Sequence, residues 1–237
     1  MTAPTALVTG ASSGIGAAIA VRLAAAGWHV VGVNRRPGFR PSTPGLDAAA
    51  VMEWMPADLA DPSAVASVAA ELAGRRFDAV VHAAGLQITA RVGDLDPAAG
   101  ERMWAVHVRA PMAITDALVD AMPDGGRIVL IGSRTAGGAA GKSQYAATKA
   151  ALVGLGRSWA MDLAGRRICV NVVAPGPTAT EMTTDPRRVA TPTAVPPFGR
   201  LIRADEVAQL VEFLLGPGGA MITGQQLVVC GGASLAG

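Results

Sequence analysis

The chain has 237 residues, of which 51% are apolar and 16% charged, and a net charge of +2. That length allows one large α/β domain or two small ones and a core that buries roughly 70% of the unfolded surface; the composition excludes a disordered chain, and the charge is too small to argue for nucleic acid or an acidic membrane as a partner. No apolar run reaches the ~18 residues of a membrane span and no secretory leader opens the chain, so a soluble, cytoplasmic protein is expected.

Residues 6–9 form a short apolar run that predicts a first strand. The turn Gly10-Ala-Ser12-Ser13-Gly14-Ile15-Gly16 follows, then an alanine-rich helix that stops near Gly27. Strand, glycine turn and helix make a nucleotide-binding unit: glycines admit a pyrophosphate to the backbone, and the helix N-terminus attracts its charge. Residues 29–33 predict a second strand, whose end usually meets the adenosine ribose. Here that end carries Asn34-Arg35-Arg36 and no carboxylate. Guanidinium groups match a 2′-phosphate, so NADP(H) is favoured, with NAD(H) as the alternative. Residues 37–50 read as an irregular connection.

A third strand is expected at 51–56, followed by Asp58-Leu59, placed to touch an adenine edge. Asp61-Pro62 caps a helix to about residue 73. A fourth strand at 78–83 runs into His82-Ala83-Ala84-Gly85, whose small residues would let a cofactor lie against the backbone. Asp96-Pro97 opens a long helix to about residue 122, interrupted at Pro111. A fifth strand at 127–132 ends at Ser133.

The next helix, expected over 143–164, carries Tyr145, the only tyrosine, and Lys149, one of two lysines. At i and i+4 they share a helix face, about 5–6 Å apart at Cβ. An ammonium that close favours the phenolate and lowers a tyrosine pKa from its usual ~10, which suits it to proton transfer. A sixth strand at 168–174 stops at Pro175-Gly176-Pro177-Thr178. Four prolines within 183–198 predict a mobile substrate loop, placed at about 178–200. A helix at 205–215 and a strand at 226–229 complete the chain. The alternation of near-continuous apolar strands with helices predicts an α/β fold: one doubly wound, Rossmann-like domain over 1–237, with about seven parallel strands and helices on both faces. Cys169 and Cys230 are expected as buried free thiols. His29, His82 and His107 lie too far apart in sequence for a metal site.

These segments together resemble the short-chain dehydrogenase/reductase family over nearly the whole chain. Thr9 to Gly16 is similar to the family's cofactor turn, and His82 to Gly85 to its Asn-Asn-Ala-Gly segment. Ser133, Tyr145 and Lys149 match its catalytic serine, tyrosine and lysine. Pro175, Gly176, Thr178 and Thr180 resemble the loop that holds the nicotinamide amide, and Phe198-Gly-Arg and Ile222-Thr-Gly-Gln225 its C-terminal segments.

The resemblance implies hydride transfer between a nicotinamide and a carbonyl or secondary alcohol, and a homotetramer or homodimer acting on a small ketone or alcohol. Tyr145 would be the general acid/base, Ser133 a hydrogen-bond donor to the substrate oxygen, and Lys149 a holder of the nicotinamide ribose. Leu86, Gln87, Arg134, Thr178 and Met182 are the expected substrate contacts. Two other readings stay open: an NAD-dependent dehydrogenase of a cyclic dihydrodiol or hydroxylated ring acid, and a non-catalytic NADP(H)-binding regulatory protein.

The chain departs from the family at three places. His107 occupies the position of an asparagine that helps hold a relay water. As a proton carrier it would make turnover fall below about pH 6.5; a disabled relay and a buried structural histidine are the alternatives. Cys230 replaces an aspartate, with an effect expected on packing. The segment before Phe198 is short, which implies a reduced lid.

Overall fold

The structure is a computed structural model that describes residues 2–35, 52–184 and 193–235. Its strands and helices, in chain order, are β1 (Thr5–Thr9), α1 (Gly14–Ala25), β2 (His29–Asn34), β3 (Met52–Pro56), α2 (Pro62–Leu72), β4 (Ala79–His82), α3 (Pro97–Trp104), α4 (Ala110–Leu118), β5 (Arg127–Ile131), α5 (Ser143–Asp162), β6 (Cys169–Pro175), β7 (Thr178–Ala179), α6 (Glu181–Thr184), β8 (Ile202–Arg203), α7 (Ala204–Leu215) and β9 (Gln226–Val229).

Seven strands form one sheet in the order β3-β2-β1-β4-β5-β6-β9. Every pairing in it is parallel. Period-two alternation sends each strand's side chains to two layers. Leu7, Val31, Val80, Ile128 and Val170 meet Val65, Val68 and Leu72 of α2 and Ile114 and Leu118 of α4. Val8, Val30, Val81, Val129 and Val173 meet Ile19 and Leu23 of α1 and Val207, Val211 and Leu214 of α7. Each such side chain contributes about 1.5–3 kcal/mol by leaving water, and both faces are covered, as a parallel sheet requires.

The Asp-Pro helix starts act as expected. Asp61 accepts from the Ser63 amide at 2.8 Å and Asp96 from the Ala98 amide at 2.9 Å. The long helix after Asp96 differs from expectation. It does not break at Pro111. Instead α3 and α4 join through a π-helical turn over Ala105–Arg109, centred on His107. Pro111 has no N–H to offer the His107 carbonyl four residues back, so the α register cannot be kept there. A wider turn absorbs the defect one turn earlier.

A second element was not expected either. β7 and β8 form a parallel two-residue pair, Thr178 beside Ile202 and Ala179 beside Arg203. No described helix is long and apolar enough to cross a membrane. Cys169 and Cys230 are free and buried.

Candidate active site

The strand order reverses between β1 and β4. In an open parallel sheet this is where loops diverge and leave a crevice beyond the carboxyl ends of the strands. A cavity of about 370 Å³ lies there, bounded by the turn after β1 and the loops after β4, β5 and β6.

Its nucleotide end is made of backbone. Gly10 has φ +73°, and a Cβ on it would stand 2.7 Å from the Ala84 Cα. A Cβ on Gly16 would stand 2.2 Å from the Gly10 carbonyl oxygen. Only glycine fits either place, and the turn closes onto the loop after β4. Thr9 holds that closure, its Oγ1 accepting from the Ala84 amide at 3.2 Å. The first turn of α1 holds no acidic residue, and its N-cap Ser13 makes no capping bond. The helix start therefore presents free N–H groups and a positive end to the cavity. These features fit a pyrophosphate.

Ser12, Ser13, Gly14 and Ile15 line the cavity with Gly10 and Gly16. Asn34, Arg35, Asp58 and Leu59 line its adenosine side. Arg35 is exposed at the end of β2. Arg36 lies outside the described residues. Asp58 is held in place by Arg102 of α3, 3.4 Å away. Arg102 lines the cavity too. Sequence reading did not find it, because 44 residues separate the partners.

The other end is made of side chains. Ser133 follows β5 in extended backbone, and its Oγ accepts from the Thr135 amide at 3.1 Å. That leaves the hydroxyl hydrogen without a protein acceptor among the described residues, free to be donated. Tyr145 and Lys149 enter from α5; both are buried. The Lys149 ammonium donates to the Ile131 carbonyl at 2.8 Å and lies 5.9 Å from the centre of the Tyr145 ring. Burial pushes the Lys149 pKa down from 10.5 to about 7.

Ala83, Ala84, Gly85, Pro175, Gly176, Thr178 and Thr180 wall this end. The last four are set by their own loop. Thr178 Oγ1 donates to the Gly176 carbonyl at 3.0 Å, and the Thr180 amide donates to Thr183 Oγ1 at 3.0 Å. Cys230 packs behind this corner: a Cβ on Gly176 would stand 2.9 Å from its Cα and Cβ. The expected substrate contacts Leu86, Gln87, Arg134 and Met182 line the same cavity. The expected substrate loop falls partly outside the described residues; Thr193 and Ala194 from its far side face the cavity. No group of three or more His, Cys, Asp or Glu that could hold a metal occurs among the described residues.

His82 turns away from the cavity to Thr115 of α4, 2.9 Å from its Nε2, and its burial pushes its pKa down to about 3. His107 is the one expected site residue, among those described, that does not line the cavity. It sits directly behind the wall, 1% exposed, edge-on to Tyr145 with ring centres 5.6 Å apart. Its Nε2 meets the Leu86 amide at 3.1 Å and its Nδ1 the Thr148 hydroxyl at 2.8 Å. Burial first, and then the Lys149 ammonium, push its pKa well below 6.5. The expected acid limb near pH 6.5 therefore does not follow from this residue: a buried imidazole beside a lysine does not charge there.

A family model described as enoyl-(acyl carrier protein) reductase matches residues 10–234. The chain is 35% identical to 3-oxoacyl-(acyl-carrier-protein) reductase FabG of Escherichia coli, over 96% of each sequence. It is 37% identical to a short-chain dehydrogenase of Burkholderia cenocepacia, solved in complex with NADP, with a TM-score of 0.87 over 97% of each chain. A blue fluorescent protein from a metagenomic library, solved with NADPH, is 35% identical with a TM-score of 0.83 over 97% of each chain. The family model and these relatives each match nearly the whole chain, and the chain belongs to the short-chain dehydrogenase/reductase family of oxidoreductases.

Proposed function

We propose that this protein is an NADP(H)-preferring ketoreductase that interconverts a carbonyl and a secondary alcohol. The observation that carries the reading is the convergence of a donatable Ser133 hydroxyl, Tyr145 and Lys149 in one cavity with the open N-terminus of α1. A bound nicotinamide supplies or accepts the hydride. The protein handles the oxygen and its proton. Ser133 donates a hydrogen bond to the substrate oxygen, where negative charge develops. Tyr145 gives its phenolic proton to that oxygen in reduction and takes it back in oxidation. The Lys149 ammonium stabilises the charge left on the phenol oxygen. Two hydroxyl groups directed at one oxygen suit a C=O substrate, which agrees with the 3-oxoacyl reductase among the relatives.

The cofactor preference is supported by Arg35 on the cavity wall directly after β2 and by the sequence Asn34-Arg35-Arg36, which holds no carboxylate. It is supported also by the NADP and NADPH named with two similar structures. The test is a panel of ketones, 3-oxoacyl thioesters and cyclic alcohols, assayed with both cofactors on the purified protein. NADPH oxidation with at least one carbonyl compound is expected. Outright preference for NADH, or activity confined to cyclic dihydrodiols, would overturn the reading.

A further inference from the structure

The hydrogen bonds around His107 admit one proton arrangement. At one end stands the Leu86 amide, which can only donate, so Nε2 must be bare to accept it at 3.1 Å. At the other end stands the Tyr145 carbonyl, which can only accept. Thr148 Oγ1 lies 2.9 Å from it and gives its hydrogen there. The Thr148 oxygen is then left to accept, and Nδ1 carries the ring's hydrogen to it across 2.8 Å. The opposite tautomer would set N–H against N–H at Leu86. A protonated ring would do the same.

We propose that His107 is a positioning residue: locked as the neutral Nδ1–H tautomer, it ties the backbone of Leu86 in the cavity wall, through Thr148, to the backbone of Tyr145, and so sets the catalytic phenol against the substrate side without relaying a proton. The role rests on Tyr145 acting as the general acid. Both ring nitrogens are used within the protein, so the ring has no lone pair or hydrogen left to hold a relay water. A proton path from Tyr145 therefore does not run through the ring nitrogens of His107.

Packing supports the same arrangement. A Cβ on Gly85 would stand 3.3 Å from His107 Nε2 and 3.8 Å from the Lys149 ammonium, so ring and ammonium both lie under the Gly85–Leu86 backbone. The π turn over Ala105–Arg109 carries the ring to that spot. Among the described residues the titratable groups facing the ring are Tyr145 and Lys149, both from α5. From the loop after β4 the Leu86 amide meets it. Lys149 disfavours a positive ring, as does burial.

Two measurements test this. The first uses the protein labelled with ¹⁵N in its histidines, with His107 assigned by the signal lost in His107→Phe. Long-range ¹H–¹⁵N spectra should show His107 as the Nδ1–H tautomer, without titration between pH 8 and about 5.5, a window that spans the ordinary histidine pKa. An Nε2–H tautomer, or a titration inside that window, overturns the proposal. The second compares Thr148→Val with Thr148→Ser. Valine keeps the shape and removes the link; serine keeps the hydroxyl. Thr148→Val should lower kcat by about three- to tenfold, the worth of one ordinary hydrogen bond. Its KM for NADPH should stay within about twofold of wild type, and the shape of its pH profile should be unchanged. Thr148→Ser should restore kcat. Equal kcat in the two variants, or an acid limb that moves in His107→Phe, overturns the proposal. A wild type inactive on every carbonyl would defeat the ketoreductase reading instead, and the tautomer spectrum would still report on His107.

Discussion

The two ends of the cavity are built from different material. The nucleotide end is backbone: a glycine turn folded onto the Ala84 loop and the bare start of α1. The catalytic end is side chain: Ser133, Tyr145 and Lys149, drawn from two elements and backed by His107 and Thr148. A backbone site tolerates changes of side chain and fails when a Cβ is added. A side-chain site fails with the loss of one atom while the fold stands. The two ends can therefore be damaged separately, and each kind of damage has its own signature.

The sharpest separation comes from Tyr145→Phe. It removes one oxygen and leaves the ring packed. Turnover should fall by about 10²–10⁴, the range of a lost general acid. Cofactor binding by fluorescence titration should stay within about twofold. Near-native turnover would mean that the catalytic end has been placed wrongly.

Lys149→Met tests what the catalytic end costs the fold. Below about pH 7 the lysine is charged in both states, and the folded protein bears the full penalty of burying it. Between about pH 7 and 10.5 the unfolded chain holds a proton that the folded one does not, so stability rises with pH. The shift caps this at about 5 kcal/mol. Thermal denaturation of the cofactor-free protein should show that rise in the wild type and a flatter curve in the inactive variant. Parallel curves would mean that no such penalty exists.

Arg35→Ala probes a charged side chain at the nucleotide end, which Asp58 and Arg102 also line. A lost charge-assisted contact is worth about 1.5–3 kcal/mol. KM for NADPH should rise by about ten- to a hundredfold, and KM for NADH should hardly move. Equal shifts for both cofactors would make the arginine a general contributor and break the 2′-phosphate reading.

Gly16→Ala attacks the backbone itself. Its Cβ would meet the Gly10 oxygen at 2.2 Å, so the turn must open. The expected cost is about 1–3 kcal/mol, read as a Tm lower by several degrees together with weaker NADPH binding. Loss of Tm with full NADPH affinity would show that the turn adapts without consequence for the nucleotide.

Most of this division is legible in the chain. A turn whose glycines are fixed by close approach or a positive φ writes itself as Gly10, Gly14 and Gly16, and two groups on one helix face write themselves as Tyr145 and Lys149. The capped starts at Asp61 and Asp96 are local and equally plain. What was not legible is contact at long range. Nothing in the sequence says that Thr148 reaches His107 across 41 residues. The π turn had a visible cause in Pro111, yet a proline shows which carbonyl loses its partner and not how the helix will absorb the loss. The two-residue strands β7 and β8 are too short for any alternation to appear.

That small pair has a consequence for how the enzyme can change. It pins the stretch between Ala179 and Ile202 at both ends, close together and fixed to the body. For a loop with fastened ends, each doubling of length costs only about 0.6 kcal/mol in closure entropy. The stretch between them can thus be lengthened, shortened or rewritten at little thermodynamic expense to the sheet. New substrate preferences are then open to exchange of a single cassette between two staples, with the cofactor turn and the catalytic groups left as they are.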